Sequence, residues 1–122
     1  MPLIMVVDDS STVRAIAQSF LERHQYQVLT AEDGLDALEK LKTEKPDLIL
    51  LDIDMPRMNG LEFAEVLSYT EDLKRIPTII CTSRLLENNK QKALDLGVKA
   101  FIEKPFEEMT LINTIKGVLE EQ

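Results

Sequence analysis

The sequence predicts an α/β fold in which five parallel strands alternate with five helices. Four short apolar runs, at Leu3–Val7, Leu48–Leu51, Thr78–Cys81 and Ala100–Ile102, have the length and composition of buried strands. A fifth and less apolar run, Tyr26–Thr30, completes the set. Apolar residues at helical spacing follow each run, and this alternation favours βαβ units and a parallel sheet.

Each segment that follows a strand places its apolar residues on one face of a helix. Ser10 or Ser11 can cap the first helix, and Gly97 can end the fourth. The predicted bounds of the second to fifth helices are about 34–44, 61–68, 86–96 and 107–120. The apolar positions in the first, second, third and fifth helices are Val13, Ile16, Ala17, Phe20 and Leu21; Leu35, Leu38 and Leu41; Phe63, Val66 and Leu67; and Leu111, Ile112, Ile115 and Leu119.

The second strand is expected at an edge of the sheet. It is the least apolar of the five, and only Ala31-Glu32-Asp33 follows it, with no obvious functional residue. Placing it outside the first strand gives the strand order 2-1-3-4-5, with a switch point between strands one and three. Ligands of open α/β sheets bind at such switch points, beyond the carboxyl ends of the strands.

Length and composition indicate one domain spanning residues 1–122. No stretch has the roughly 18 apolar residues of a membrane helix, and no secretory signal is evident, so we expect a cytoplasmic protein without membrane insertion. The formal net charge of -8 argues against direct nucleic-acid binding, which needs clustered basic residues. The single cysteine, Cys81, is expected to be a buried strand residue.

Polar residues suited to phosphate or metal chemistry follow four of the predicted strands. Asp8-Asp9 follows the first, Asp52 the third, Thr82-Ser83 the fourth, and Lys104-Pro105 the last. Each alone has an ordinary structural explanation, as a helix cap, a turn former or a surface lysine. A parallel sheet, however, brings all four ends to the same edge, which predicts one crevice with three carboxylates, a hydroxyl and an ammonium.

This combination of groups predicts a magnesium-dependent phosphoryl acceptor. Three close carboxylates repel one another and raise at least one pKa, a penalty that a divalent cation removes. Asp9 and Asp52 are the best direct ligands, with Asp8 acting through water and backbone carbonyls after Asp52 completing the set. Asp52 would attack phosphorus, while the cation, Lys104 and Thr82 would each take one phosphoryl oxygen.

With these residues in place, the chain resembles the receiver domains of two-component response regulators over essentially its whole length. The matching motifs are VVDDS at 6–10, LLDIDMPRMNG at 50–60, CTS at 81–83 and FIEKPF at 101–106. The resemblance implies a flavodoxin-like (βα)5 three-layer sandwich. It also implies a switch with self-catalysed phosphorylation and dephosphorylation, rather than an enzyme.

The resemblance further implies a role for each matching residue. The phosphoryl donor would be the phosphohistidine of a histidine kinase, and the cofactor Mg²⁺ or Mn²⁺. The surface made by the fourth helix, fifth strand and fifth helix would then change its affinity for a downstream protein or for other domains of a parent protein. The implied roles are Asp52 as acceptor, Asp9 as direct metal ligand, Asp8 as ligand through water, Asp54 as carbonyl ligand, Thr82 as switch hydroxyl, Lys104 as phosphate-binding lysine and Phe101 as switch aromatic.

A narrower resemblance concerns the C-terminal part of the chain. The stretch IICTSRLLENNKQKALDLGVKAFIEKPFEE is similar to the receiver at the C-terminus of chemotaxis-type hybrid histidine kinases. Similar receivers serve pilus-motility pathways. We therefore expect a chemotaxis-type receiver, either as a single-domain regulator or as a part of a longer protein.

Three alternatives share features with this pattern. A phosphatase of the haloacid dehalogenase type would use Asp52 and Asp54 as its DxD pair, although Met55-Pro56 departs from that family. A flavodoxin would need a phosphate cradle where Asp8-Asp9 would repel phosphate. An inert docking module with a receiver fold would have lost the acceptor, the hydroxyl or the lysine, and none is missing.

Overall fold

The computed structural model describes residues 1–121 and contains one five-stranded parallel sheet. Its strands are β1 (Leu3–Val7), β2 (Gln27–Ala31), β3 (Leu48–Leu51), β4 (Thr78–Thr82) and β5 (Ala100–Glu103). They lie in the order β2-β1-β3-β4-β5, and every neighbouring pair is parallel. The predicted strand order is confirmed.

Five helices cover the two faces of the sheet. They are α1 (Ser11–Arg23), α2 (Gly34–Lys40), α3 (Gly60–Tyr69), α4 (Glu87–Asp95) and α5 (Glu108–Glu120). One hydrophobic cluster contains the buried residues of α2, α3 and α4, and the other contains those of α1 and α5. The predicted three-layer α/β sandwich is therefore confirmed. In the described part of the chain, no helix is long and apolar enough to cross a membrane.

Burial along the strands follows their position in the sheet. All residues of β3 and β4 are buried, as are the last four of β1, whereas β2 and β5 are partly exposed. Central strands covered on both faces need continuous apolar runs, and edge strands do not. Cys81, in β4, is buried as expected.

Most predicted element boundaries differ from the structure by one residue, and the end of the second helix differs by four. The second strand begins at Gln27 rather than Tyr26, because the Tyr26 amide still donates to Leu21 at the end of α1. The Gln27 amide instead donates to the Pro2 carbonyl and starts the ladder with β1. The second helix ends at Lys40 rather than near residue 44, where turns take over.

The buried faces of three helices also differ in part from the prediction. Leu35 and Ile16 are 43% and 42% exposed. Ala37, which the prediction does not include, is buried in α2, whereas Ala17 is buried in α1 as predicted. Small side chains let these helices lie close to the strands. In α5, Val118 is buried and Leu119 only partly so.

Candidate functional site

Two acidic residues at the carboxyl end of β1 start the candidate site. The Asp8 amide donates to the Ala31 carbonyl at 3.1 Å, which extends the ladder with β2 by one bond. Its carboxylate accepts a hydrogen bond from the Ser10 amide at 2.9 Å, and Ser10 caps α1. Asp8 is therefore buried, whereas Asp9 is exposed at the mouth of the crevice.

The carboxyl end of β3 holds Asp52 next to this pair. The Asp52 amide donates to the Val7 carbonyl at 2.9 Å, and the residue is only 6% exposed. Gly60, the first residue of α3, lies directly against the Asp52 backbone, since an added Cβ would stand 2.1 Å from the Asp52 carbonyl oxygen. Gly60 is required here because any side chain would push this strand end out of place.

An ammonium group from the loop after β5 joins the carboxylates. Lys104 Nζ lies 2.5 Å from Asp8 Oδ2 and 3.4 Å from Asp52 Oδ1. The Lys104 amide donates to the Thr82 carbonyl at 2.9 Å, and this bond fixes the lysine relative to β4. One cation therefore bridges two buried carboxylates that come from different strands.

The electrostatics of the site centre on Asp52. Burial is the largest influence and raises the pKa of Asp52 to about 6, while Lys104 lowers this pKa and Asp8 raises it. Burial also acts to lower the pKa of Lys104, but its hydrogen bond to Asp8 and the two nearby carboxylates raise it overall. The pKa of one carboxyl is raised, as predicted. Loss of hydration on burial, however, raises this pKa more than repulsion from the neighbouring carboxylate does.

The carboxylates fit a small divalent cation. One oxygen from each of Asp8, Asp9 and Asp52 lies within 4.8 Å of the other two. Ligands at about 2.1 Å from Mg²⁺ can be at most about 4 Å apart, so two oxygens need only a small inward shift, and the third can act through water. All three donors are hard oxygen ligands, which this ion prefers.

The hydroxyl and the aromatic ring named in the prediction share one face of the sheet. Thr82 is buried at the end of β4, where its hydroxyl accepts a weak 3.5 Å hydrogen bond from the Arg84 amide. Phe101 in β5 is partly buried, and its neighbour in register is Ile80 of β4. Because side chains alternate along a strand, Thr82, Ile80 and Phe101 point to the same side. The Lys90 ammonium lies 5.9 Å from the centre of the Phe101 ring.

The structure brings together most, but not all, of the residues that the sequence selected. Asp8, Asp9, Asp52 and Lys104 form one cluster, with Thr82 buried at the adjacent strand end. Phe101 lies apart from the carboxylates, under α4. Asp54 is exposed, and its backbone amide acts on the Asp52 carboxyl by lowering its pKa.

Sequence reasoning missed three residues that support the site. Gly60 lies just before the predicted third helix, and nothing in its local pattern indicates how close it lies to Asp52. Arg14 donates to the Asp8 carbonyl at 2.6 Å from one turn into α1. No obvious functional residue is predicted after β2, but Asp33 is 2% exposed and bound to Arg57 of the loop after β3. The Asp33-Gly34 pair after β2 is the sequence feature that could have drawn attention to Asp33.

Comparison with known proteins agrees with this geometry. Residues 4–116 match the family described as the response regulator receiver domain. The chain is 39% identical over 119 residues to Protein PilH of Pseudomonas aeruginosa, covering 98% of both chains. It is 35% identical over 116 residues to the sensor histidine kinase CheAY of Helicobacter pylori, covering 93% of this chain and 14% of that protein.

The fold is also that of solved receiver structures. Chemotaxis protein CheY4 of Vibrio cholerae superimposes with a TM-score of 0.92 at 32% identity, covering 97% of this chain and 98% of that one. This agreement confirms the flavodoxin-like architecture, and the phosphatase alternative has no support. Receiver domains take phosphoryl groups from histidine kinases and bind Mg²⁺ at an acidic pocket. The chain belongs to the response regulator receiver domains of two-component signalling.

Proposed function

We propose that this chain is a phosphorylation switch in which Asp52 accepts a phosphoryl group from the phosphohistidine of a histidine kinase. The observation that carries the proposal is the position of Lys104 Nζ, 2.5 Å from Asp8 and 3.4 Å from Asp52. A buried carboxylate with a raised pKa, beside a fixed ammonium, is suited to attack phosphorus once its charge is balanced.

Each residue of the cluster has a proposed role in the transfer. An Asp52 oxygen forms a bond to phosphorus as the bond from phosphorus to the donor nitrogen breaks, and the imidazole leaves with a proton from water. Lys104 and the Thr82 hydroxyl donate hydrogen bonds to two phosphoryl oxygens. Asp9 and Asp52 would hold Mg²⁺ or Mn²⁺ directly, Asp8 would hold it through water, and the Asp54 carbonyl would complete the set. The ion, when bound, would supply positive charge that balances the charge of the phosphoryl group.

The output of the switch is proposed to be the surface made by α4, β5 and α5. Movement of Thr82 towards the phosphoryl group would vacate space on the face that Phe101 shares, and the ring would turn inward. Phosphorylation then shifts a population between two states by adding contacts in only one of them. The purpose is switching, so we propose no separate enzymatic substrate.

The proposed setting is a chemotaxis-type pathway in the cytoplasm, with one receiver domain over residues 1–122. Similarity to PilH, CheAY and CheY4 supports that setting. The phosphoryl donor would be a histidine kinase. The partner of the output surface would be another protein or another domain of the same protein.

The test is intact mass after incubation with acetyl phosphate and Mg²⁺, with and without EDTA. We expect one phosphoryl adduct that depends on the metal and is absent from Asp52→Asn. Asp47→Asn is the matched control, because Asp47 is an exposed carboxylate at the opposite end of β3.

The proposal would be overturned if no adduct formed with acetyl phosphate or with a phosphorylated histidine kinase. A constitutive docking module would then be the better account. An adduct of equal yield in Asp52→Asn would place the acceptor elsewhere.

A further inference from the structure

An ion pair outside the carboxylate cluster joins the loop after β3 to the start of α2. Arg57 Nε donates to Asp33 Oδ2 at 2.6 Å, and Arg57 Nη2 contacts the same oxygen. The Asp33 side chain is only 3% exposed, whereas that of Arg57 is 53% exposed. A charge buried this deeply persists in a fold only when it is well paired.

Asp33 is bound from two sides. It is the N-cap of α2, and its other oxygen accepts the Asp36 amide at 2.8 Å. These hydrogen bonds and the Arg57 charge lower the pKa of Asp33 against the opposing effect of burial, which is the largest single influence. Asp33 is therefore a fixed anionic anchor that projects from a helix terminus.

The loop that carries Arg57 is the one that begins at Asp52. Arg57 has a φ of 65°, in the left-handed region that non-glycine residues seldom adopt. The next residue, Met58, packs against Gly34, where an added Cβ would stand 2.9 Å from the Met58 side chain. Two consecutive loop residues are thus held by two consecutive residues of the β2–α2 junction.

We propose that Arg57 is a positioning residue, which holds the loop of residues 52–59 against Asp33 and so sets the metal-binding geometry of Asp52 and Asp54. The inference rests on the metal site of the proposed function. Only two residues separate Asp54 from Arg57, so a displacement of one moves the other. The Asp33–Arg57 pair would fix the orientation of the metal ligands, as residues that contact ligands but not the metal commonly do.

The sign of the effect on metal affinity separates this role from simple electrostatics. Arg57 is a cation near a proposed cation site, so its charge alone would weaken metal binding. If charge dominates, removing Arg57 strengthens the binding of Mg²⁺. If positioning dominates, removing it weakens the binding.

The experiment measures Mn²⁺ affinity by electron paramagnetic resonance, with Mg²⁺ as competitor, in the full chain. Variants Arg57→Gly and Asp33→Asn are compared with Lys42→Ala, which removes an exposed cation from the Lys42–Glu39 pair. We expect about tenfold weaker binding for the first two and no change for the control. Asp33→Asn leaves the loop backbone untouched and keeps an acceptor for the α2 cap.

A further variant, Arg57→Ala, separates the loss of the guanidinium from the change in backbone flexibility that glycine introduces. Arg57→Ala and Arg57→Gly both lose the guanidinium, but only glycine adopts the left-handed conformation without strain. We expect equal losses of affinity and a greater loss of thermal stability for alanine. Arg57→Lys keeps the charge without the planar fork and should recover part of the affinity.

A readout in the metal-free protein completes the test. Hydrogen exchange of the amides of residues 54, 55, 57 and 58 should be faster in Arg57→Gly and Asp33→Asn than in the wild type, and unchanged in Lys42→Ala. Unchanged or stronger Mn²⁺ binding in Arg57→Gly, whatever the result for Asp33→Asn, would overturn the inference and leave a structural ion pair only. Absence of Mn²⁺ binding in the wild type would instead overturn the proposed function.

Discussion

The two edges of the sheet handle negative charge in different ways. At the amino edge, Asp47 is exposed and its carboxylate accepts the Leu3 amide at 2.7 Å, while its own amide donates to the Leu3 carbonyl. At the carboxyl edge, Asp8 and Asp52 are 3% and 6% exposed and share one ammonium. The first arrangement closes a strand end, whereas the second concentrates charge away from water.

A contribution to the stability of the fold explains only the arrangement at the amino edge. A backbone-paired, solvated carboxylate contributes a modest amount to stability. Two buried carboxylates and a third at the mouth exceed the charge that Lys104 can balance. Burial, with a smaller contribution from Asp8, raises the pKa of Asp52. Perturbed groups of this kind are typical of functional sites. The amino edge is thus arranged for stability, whereas the carboxyl edge keeps an unfavourable concentration of negative charge that a bound cation would relieve.

The largest expected effect comes from adding a side chain at Gly60, where α3 lies directly against the Asp52 backbone at the carboxyl edge. Gly60→Ala would place a Cβ 2.1 Å from the Asp52 carbonyl oxygen, which backbone atoms cannot accommodate. We expect a loss of about 4 kcal/mol in unfolding free energy, at the upper end for single substitutions. Urea unfolding followed by circular dichroism measures it.

A second glycine provides the control for Gly60. Gly117 lies in α5, where an added Cβ meets no atom within 4 Å. Gly117→Ala should raise the unfolding free energy by about 0.5–1 kcal/mol, because alanine has less conformational freedom to lose. Similar losses for both variants would contradict the account of Gly60.

The next largest effect concerns the charge on Asp52 in metal-free protein. The pKa of this carboxyl is about 6 in the fold against an ordinary 3.8, so the folded state binds the proton more tightly than the unfolded state. Stability from this group therefore increases as pH falls from about 7 towards 4 and is lost as pH rises through 6. Asp52→Asn should be more stable than the wild type at pH 7, by up to about 3 kcal/mol.

This advantage of Asp52→Asn should shrink as the wild-type carboxyl becomes protonated. The measurement is the unfolding free energy of both proteins between pH 4 and 7.5 in EDTA, and the titration of other groups cancels in the difference. A difference independent of pH would show that Asp52 carries no cost of burial.

Metal binding should relieve part of the same cost. At a Mg²⁺ concentration tenfold above the dissociation constant, the unfolding free energy should rise by about 1.4 kcal/mol, because only the folded state assembles the site. Thermal unfolding with and without Mg²⁺ measures this effect. It should be lost in Asp9→Asn and kept in Asp72→Asn, which changes an exposed carboxylate outside the site. Equal stabilisation of both variants would argue against the cluster as the metal site.

The smallest expected effect is at the amino edge. Asp47→Ala removes the acceptor of the Leu3 amide and should cost about 1 kcal/mol, the usual value for one hydrogen bond. The cost should not vary with Mg²⁺, and phosphorylation should be unaffected. A dependence on Mg²⁺ would show that the two edges are coupled.

Strand periodicity and strand-end residues were sufficient to predict most of the architecture. Continuous apolar runs identified β1 and β3 to the residue, and the weaker run at β2 identified an edge strand. The convergence of Asp8, Asp52 and Lys104 followed from the topology alone, because parallel strands end on one side. These predictions therefore rested on local sequence patterns and on the rule that parallel strands end on the same side of a sheet.

The remaining features depend on contacts between distant parts of the chain. Helix faces were misjudged where alanine lies against the sheet, as at Ala37, because size complementarity rather than hydropathy decides that contact. The Asp33–Arg57 pair and the approach of Gly60 to Asp52 join segments whose distance no periodicity encodes. The dominance of burial in the pKa of Asp52 likewise required the packed structure.

The most direct test of the central claim is chemical identification of the phosphorylated residue. Protein treated with acetyl phosphate and Mg²⁺ is reduced with borohydride, which converts an aspartyl phosphate into homoserine, and is then mapped by peptide mass spectrometry. We predict homoserine at position 52 and not at Asp47 or at the other carboxylates of the cluster. Homoserine at another position, or a phosphoryl group that survives borohydride on a hydroxyl side chain, would contradict the account.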